Sequence, residues 1–197
     1  MRHARLFAVL FGFLPFFTMP VRAEDSDAFF IRDPNRLVVS VGAYNFTDSE
    51  SEQRYPSYMV QLRLSEIPVW KMHPWIGFEY AHNTIERPGQ SADINSYWIG
   101  AGLETDIDLY DDWLVLTLQT GAGYFKNDSD TMPVGWKYLP ESGLEFRHQA
   151  ELGVRFMDGW RAAIGVSHMS NADLSDNNNS INSAALNLHV PLGPSQY

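Results

Sequence analysis

The sequence predicts an all-β protein, an eight-stranded antiparallel transmembrane β-barrel, and three observations support this fold class. Segments of about ten residues alternate between apolar side chains and polar or small ones, which is the period of a β-strand. Stretches rich in Asp, Asn, Ser, Gly and Pro separate these segments, as turns require. The first residues also have the pattern of an export signal, and the sequence contains no cysteine.

The N-terminal residues have the three parts of a secretory signal. Arg2 gives a positive start, residues 6–17 form an apolar block, and small residues around Ala23 precede an acidic segment. The block is shorter than the ~20 residues that a membrane-spanning helix needs. We therefore expect residues 1–23 to be cleaved and residues 24–197 to form one barrel domain, with an uncleaved anchor as the alternative.

The composition argues against several classes of function. Removing residues 1–23 takes away three basic residues and no acidic ones, so the net charge of −10 falls by three to −13. We expect no nucleic-acid partner for so acidic a domain. A chain without cysteine has no disulfide, no thiol nucleophile and no thiolate zinc site. Export without disulfides is typical of a bacterial envelope protein.

Each predicted strand has an apolar face and a polar or small face. In the second run Tyr58 and Val60 alternate with Gln61 and Arg63. In LEFRHQAELGVRF, residues 144–156, the even positions are almost purely apolar and the odd positions are mostly charged. The eight runs that we predict as strands are 36–46, 57–66, 74–82, 95–104, 113–125, 143–157, 160–170 and 182–192.

The chemistry of the polar faces favours a membrane barrel over a soluble sandwich or a lipocalin-type barrel, which is the alternative. Glu145, Arg147, Glu151 and Arg155 resemble the charge network of a barrel interior, and lysine is rare. Aromatic residues cluster at strand ends, which matches the girdles at bilayer interfaces. The predicted girdle residues are Tyr55, Tyr58, Trp70, Trp75, Trp113, Tyr124, Phe125, Trp136 and Trp160.

The seventh run, WRAAIGVSHMS, ends in a histidine and a serine that extend its apolar row. With a periplasmic N-terminus and an even number of strands, this strand ends at the cell exterior. His168 and Ser170 then face lipid, where polar side chains are costly. Two residues apart on one face, they can act together as base and nucleophile. The alternative is that both lie in the headgroup zone without a catalytic role.

From about residue 113 onward the chain resembles the lipid A 3-O-deacylases of the acyloxyacyl hydrolase type in Gram-negative outer membranes. The resemblance covers LTLQTGAGYF, GLEFRHQAELGVRF and above all GVSHMSNA, followed by an asparagine-containing loop and a last strand ending HVPLG. It implies an outer-membrane esterase that acts on lipid A, with His168 as base and Ser170 as nucleophile. No cofactor is implied.

The chain departs from the family at the acid that orients the histidine. In the family this is a carboxylate at the start of the last strand, and the matching residue here is Asn182. An asparagine can hold the imidazole in one tautomer but cannot stabilise the imidazolium. Asp173 and Asp176 are alternative acids in the preceding loop. We therefore expect a weak enzyme or, as a hypothesis of a different class, a non-catalytic structural or lipid-binding barrel.

Acyl transfer also needs hydrogen-bond donors for the oxyanion. The candidates are the backbone amides after Ser170 and the side chains of Asn171 and Asn178, of which Asn178 matches the family's loop asparagine. No metal site is expected, because His73, His82 and His148 are scattered and lack the spacing of metal ligands.

Overall fold

A computed structural model describes residues 35–44, 55–67, 71–87, 90–110, 113–128, 142–157, 159–172, 174 and 180–193. The predicted signal peptide lies outside these residues. Within the described ranges, no helix is long and apolar enough to cross a membrane. The strands are β1 (Arg36–Tyr44), β2 (Tyr55–Arg63), β3 (His73–Arg87), β4 (Gln90–Tyr110), β5 (Leu114–Asn127), β6 (Gly143–Met157), β7 (Trp160–Ser170) and β8 (Ile181–Pro191).

These strands form one closed antiparallel barrel, so the predicted fold class is confirmed. Each strand pairs with the next along the chain, and β8 pairs with β1 to close the sheet. The predicted bounds of β6 and β7 agree with the structure. β4 ends at Tyr110 instead of residue 104, and both β3 and β4 are longer than predicted because their hairpin continues beyond His82 and Asn95 to Arg87 and Gln90. That part of the sequence is polar at most positions, so no alternation is visible in it.

The outer face of the barrel wall is apolar. On β7 the side chains of Ile164 and Val166 are exposed, while Arg161 and Ala163 are buried. Ile164 is 65 % exposed and Leu186 on β8 is 66 % exposed. A soluble barrel buries such side chains, whereas a membrane barrel presents them to lipid. The soluble alternative therefore does not fit this structure.

The inner face carries a buried charge network at the end of the barrel where β1 begins. Asp106 on β4 accepts hydrogen bonds from Arg63 (2.6 Å) and Arg161 (2.9 Å). Nearby, His189 on β8 lies 2.8 Å from a carboxylate oxygen of Glu151. Charged side chains from four strands and the His189 ring from a fifth thus pair inside the barrel, which offsets part of the cost of removing the charges from water. The strands that contribute these residues are β2, β4, β6, β7 and β8.

The charged residues predicted on the inner face of β6 include Glu145, Arg147 and Glu151, and these three are buried as expected. Arg147 forms its ion pair with Glu79 on β3. Its guanidinium also lies 5.5 Å from the centre of the Trp98 ring. Among the described residues, the Glu145 carboxylate has no hydrogen-bond partner. Partners across the lumen depend on the curvature of the closed wall, which strand alternation does not reveal.

Part of the predicted aromatic girdle was wrong. Tyr55, Trp75 and Phe125 face the lumen, with at most 2 % of each residue exposed. They belong to an inner aromatic cluster with Trp98, and a methyl group at Gly121 or Gly123 would overlap the Trp75 or Trp98 ring. Each of the three has an odd number on a strand whose even positions face outward, so strand parity outweighs nearness to the strand end. Tyr58, Trp113 and Tyr124 are exposed as predicted, and Trp70 and Trp136 lie outside the described residues.

Candidate active site

The candidate site lies on the outside of the barrel, at the end of β7. His168 is exposed and Ser170 is partly exposed, whereas Met169 between them is 3 % exposed and faces the lumen. The prediction that His168 and Ser170 share the outward row is therefore confirmed. His168 lies two residues before Ser170, the last residue of β7, so it is deeper in the barrel wall than the serine.

Asn182 holds the His168 imidazole from the neighbouring strand. The two residues are register partners on β7 and β8. His168 Nδ1 lies 2.9 Å from Asn182 Oδ1. An amide oxygen only accepts hydrogen bonds, so Nδ1 carries the proton and Nε2 keeps a lone pair. Asn182 thus selects the tautomer in which Nε2 can take up a proton.

The Ser170 hydroxyl forms no hydrogen bond with His168 in the described part of the chain. Ser170 is the register partner of Phe146 on β6, so its outward side is flanked by an aromatic ring. Serine and histidine side chains two residues apart on one strand face can approach each other by rotation about χ1. Catalytic hydrogen bonds are often long without substrate and shorten when it binds.

A tight turn begins directly after Ser170. The Asn171 carbonyl accepts a hydrogen bond from the Leu174 N–H (3.1 Å), and Ala172 has a left-handed backbone with φ 53°. Left-handed geometry is unfavourable for a residue with a Cβ and marks a constrained backbone. Asn171 itself is buried, with 4 % exposed. The other predicted loop residues, Asp173, Asp176 and Asn178, lie outside the described residues.

The structure adds two residues that the sequence analysis did not connect to the site. His148 on β6 is the register partner of His168. Thr120 on β5 is the register partner of His148, and its Oγ1 lies 3.0 Å from His148 Nδ1. Thr120, His148, His168 and Asn182 form a continuous polar row across four strands, here called the outward polar row. Within the described residues, no three His, Cys, Asp or Glu side chains are grouped as metal ligands.

A second outward His–Asn pair lies on the opposite part of the wall. His82 on β3 and Asn95 on β4 are register partners, and His82 Nδ1 lies 3.0 Å from Asn95 Oδ1. The same amide oxygen accepts a hydrogen bond from the Tyr80 hydroxyl (2.9 Å). Thr84, two residues after the histidine, donates a hydrogen bond from its hydroxyl to Asp93 (2.7 Å). This pair provides an internal reference for the candidate site.

Comparison with known proteins identifies the family. A model of the family described as lipid A 3-O-deacylase (PagL) matches residues 68–191. The chain belongs to this family. The match includes β3 to β8 entirely, so the resemblance seen from residue 113 onward is confirmed and extends further toward the N-terminus.

Solved structures share the fold of this family member. The outer membrane enzyme PagL superposes with a TM-score of 0.51 at 19 % identity, over 80 % of this chain and 99 % of that chain. Neisserial surface protein A superposes with a TM-score of 0.56 at 11 % identity, over 80 % of this chain and 95 % of that one. Comparison with curated proteins finds no significant match. At such identities the likeness concerns the barrel fold alone.

Proposed function

We propose that this protein is an outer-membrane esterase that removes an ester-linked acyl chain from lipid A, at the 3-O position. One observation carries the proposal: the His168 imidazole is held by Asn182 on the outside of the barrel, with the Ser170 hydroxyl in the same row. Family membership supports the reaction and the substrate class. The predicted signal peptide, residues 1–23, is consistent with export to that membrane.

The position of the site suits a substrate that is itself part of the bilayer. The residues lie at the end of β7, and the wall below them presents apolar side chains such as Val166 and Ile164. A lipid that packs against this wall keeps its acyl chains beside apolar side chains and brings its ester bonds to the level of Ser170. The membrane concentrates the substrate, so a shallow groove suffices for binding.

The chemistry follows from the tautomer of His168. Nε2 takes the proton from the Ser170 hydroxyl while Oγ attacks the ester carbonyl carbon. The tetrahedral intermediate collapses, the sugar oxygen leaves with the proton from Nε2, and the acyl chain stays on Oγ. Water then attacks the acyl-enzyme, Nε2 takes one of its protons and returns it to Oγ, and the fatty acid is released.

The turn after Ser170 is the candidate source of oxyanion donors. Its backbone is held by the Asn171–Leu174 hydrogen bond and by the left-handed Ala172. Backbone N–H groups fixed in this way need little reorganisation when negative charge develops on the carbonyl oxygen. The side chains of Asn171 and Asn178 are the further candidates.

The amide at Asn182, in place of a carboxylate, supports a second candidate function. A carboxylate in this position stabilises the imidazolium that forms during attack, and its loss from a serine triad costs up to about 10⁴-fold in turnover. Among the described residues, the partner that His168 contacts is an amide rather than a carboxylate. A non-catalytic structural or lipid-binding barrel is therefore the competing proposal.

The deciding experiment is mass spectrometry of lipid A from cells that produce the wild-type protein, the Ser170→Ala variant or neither. We expect only the wild type to yield lipid A that lacks one ester-linked acyl chain. Outer-membrane fractionation and slower gel migration after boiling would show that both proteins fold as barrels. Identical lipid A from all three strains, with both proteins assembled, would instead support the non-catalytic barrel.

A further inference from the structure

We propose that His148 and His168 together bind one divalent transition-metal ion, and that the bound ion inhibits the esterase. The binding site is independent of the proposed function, whereas the inhibition rests on it. The proposal comes from the outward polar row, whose two central members are imidazoles on adjacent strands. Sequence spacing alone does not suggest it, because the two histidines are 20 positions apart.

The register places the two imidazoles side by side. His148 and His168 are direct partners across the β6–β7 pair, and both side chains are exposed on the outside of the wall. The Cβ atoms of direct partners on antiparallel strands are about 4.5–5.5 Å apart. Two imidazoles extending from such positions can direct one nitrogen each to a common ion.

The hydrogen bonds of the row leave the same nitrogen available on each ring. His168 uses Nδ1 to contact Asn182 on β8, on the side away from His148. His148 uses Nδ1 to contact Thr120 on β5, on the side away from His168. Histidines that bind metals usually have their other ring nitrogen hydrogen-bonded to an oxygen, which orients the ring. Both Nε2 atoms are thus the candidates for coordination.

The donor set indicates the class of ion. Imidazole nitrogens suit Zn²⁺, Cu²⁺ and Ni²⁺, whereas Mg²⁺ and Ca²⁺ prefer oxygen ligands. Two protein ligands are fewer than the three or four of ordinary zinc sites. Water must complete the coordination, so binding should be reversible by a chelator. In the order of general affinities, Cu²⁺ should bind more tightly than Ni²⁺ or Zn²⁺.

A metal ion at this site is expected to prevent His168 from acting as the catalytic base. The lone pair on His168 Nε2 is the one that takes the Ser170 proton in the proposed mechanism. A metal ion bound to this nitrogen occupies the lone pair and also places positive charge next to it. The histidine then cannot act as a base until the ion leaves.

Calorimetric titration of the purified, untagged protein in detergent with Zn²⁺ and Ni²⁺ tests the binding site. We expect one ion per barrel in the wild type and in Ser170→Ala, and affinity at least tenfold lower in His148→Ala. His82→Ala is the matched control, because His82 also contacts an asparagine through Nδ1, while its register partner is that asparagine and not a second histidine. Its affinity should equal that of the wild type. Absence of binding to the wild type, or equal affinity in His148→Ala, would overturn the site.

Lipid A hydrolysis with increasing Zn²⁺ tests the inhibition, with each variant normalised to its own metal-free rate. The concentration for half-inhibition should rise at least tenfold in His148→Ala, and a chelator should restore the wild-type rate. Hydrolysis that continues while Zn²⁺ is bound would refute the inhibition and leave the proposed function intact. A protein without hydrolysis under any condition would refute the proposed function, and calorimetry would still decide the binding site.

Discussion

The wall of this barrel holds two outward His–Asn pairs with nearly the same geometry but different surroundings. His168 and Asn182 join β7 to β8 at 2.9 Å, and His82 and Asn95 join β3 to β4 at 3.0 Å. Each histidine is followed two residues later by a hydroxyl side chain, Ser170 in the first pair and a threonine in the second. A His–Asn hydrogen bond by itself therefore does not distinguish an active site from a structural contact.

The two pairs differ in the hydrogen bonds that the neighbouring side chains already form. At the β3–β4 pair, the Thr84 hydroxyl donates a hydrogen bond to Asp93. The Asn95 side-chain oxygen accepts hydrogen bonds from both His82 and Tyr80. A hydroxyl bonded to a carboxylate at 2.7 Å would have to give up a charge-assisted hydrogen bond before it could attack an ester. At the β7–β8 pair, no described side chain accepts a hydrogen bond from the Ser170 hydroxyl. The candidate site is thus the pair whose hydroxyl is still available.

The largest expected effect separates the two hydroxyls. Ser170→Ala should reduce lipid A hydrolysis to the level without enzyme, because no nucleophile remains. Thr84→Ala should leave the rate within twofold of wild type. Both rates are measured with purified protein in detergent and the same lipid A. Wild-type turnover by Ser170→Ala would show that the nucleophile is assigned incorrectly.

The next effect separates the two histidines. His168→Ala should lower the rate by about 10²–10⁴-fold, the usual contribution of a general base, while His82→Ala should not. Heat-dependent gel mobility of both variants provides the control for folding. Equal losses in the two variants would mean that the outer His–Asn pairs matter for assembly and that the comparison does not identify the base.

A variant inside the barrel separates assembly from chemistry. Arg161 on β7 is fully buried and contacts Asp106 and His189. Breaking a buried ion pair costs about 3–5 kcal/mol, so Arg161→Ala should lower the urea midpoint of unfolding clearly, and the folded fraction should keep its activity. Ile164→Val, on the outward face of the same strand, is the control with a small change. An inactive but fully stable Arg161→Ala would contradict the division between inner and outer faces.

The smallest expected effect concerns the residue that departs from the family. Asn182→Glu should place a carboxylate beside the His168 imidazole, stabilise the imidazolium and raise the hydrolysis rate at least tenfold, about 1.4 kcal/mol in the barrier. Asn95→Ala at the reference pair should leave the rate unchanged, and Ser170→Ala gives the blank. An unchanged but substantial rate in Asn182→Glu would point to Asp173, Asp176 or another acid.

Strand parity explains why much of the site could be predicted from the sequence. Side chains alternate across a strand, so a residue's face follows from its number once a few neighbours are known. The outward placement of His168 and Ser170 follows in this way, and the pairing of Asn182 with His168 is implied by the family resemblance. Where position at a strand end was used instead of parity, as for Trp75, the prediction was wrong.

The pairing of His148 with His168 could not be predicted in the same way, because it depends on the register between two strands. Met157 pairs with Trp160 at the turn, where Gly159 has φ 86°. That register alone would pair odd positions of β6 with even positions of β7. An irregularity between Arg155 and Met157 shifts the pairing by one residue. This shift makes the outward, even-numbered residues of β6 and β7 register partners. The two imidazoles therefore lie side by side.

The sequence by itself thus determined which side chains face lipid and which face the lumen, because alternation is a local property of an extended backbone. The closed sheet decided which residues meet across strands where no resemblance indicated it, as for Arg147 with Glu79 and His148 with His168. These contacts depend on bulges, loop lengths and closure of the barrel, which involve residues far apart along the chain. The physical reason is that register is set by the whole hydrogen-bonded wall, whereas parity is set by each strand alone.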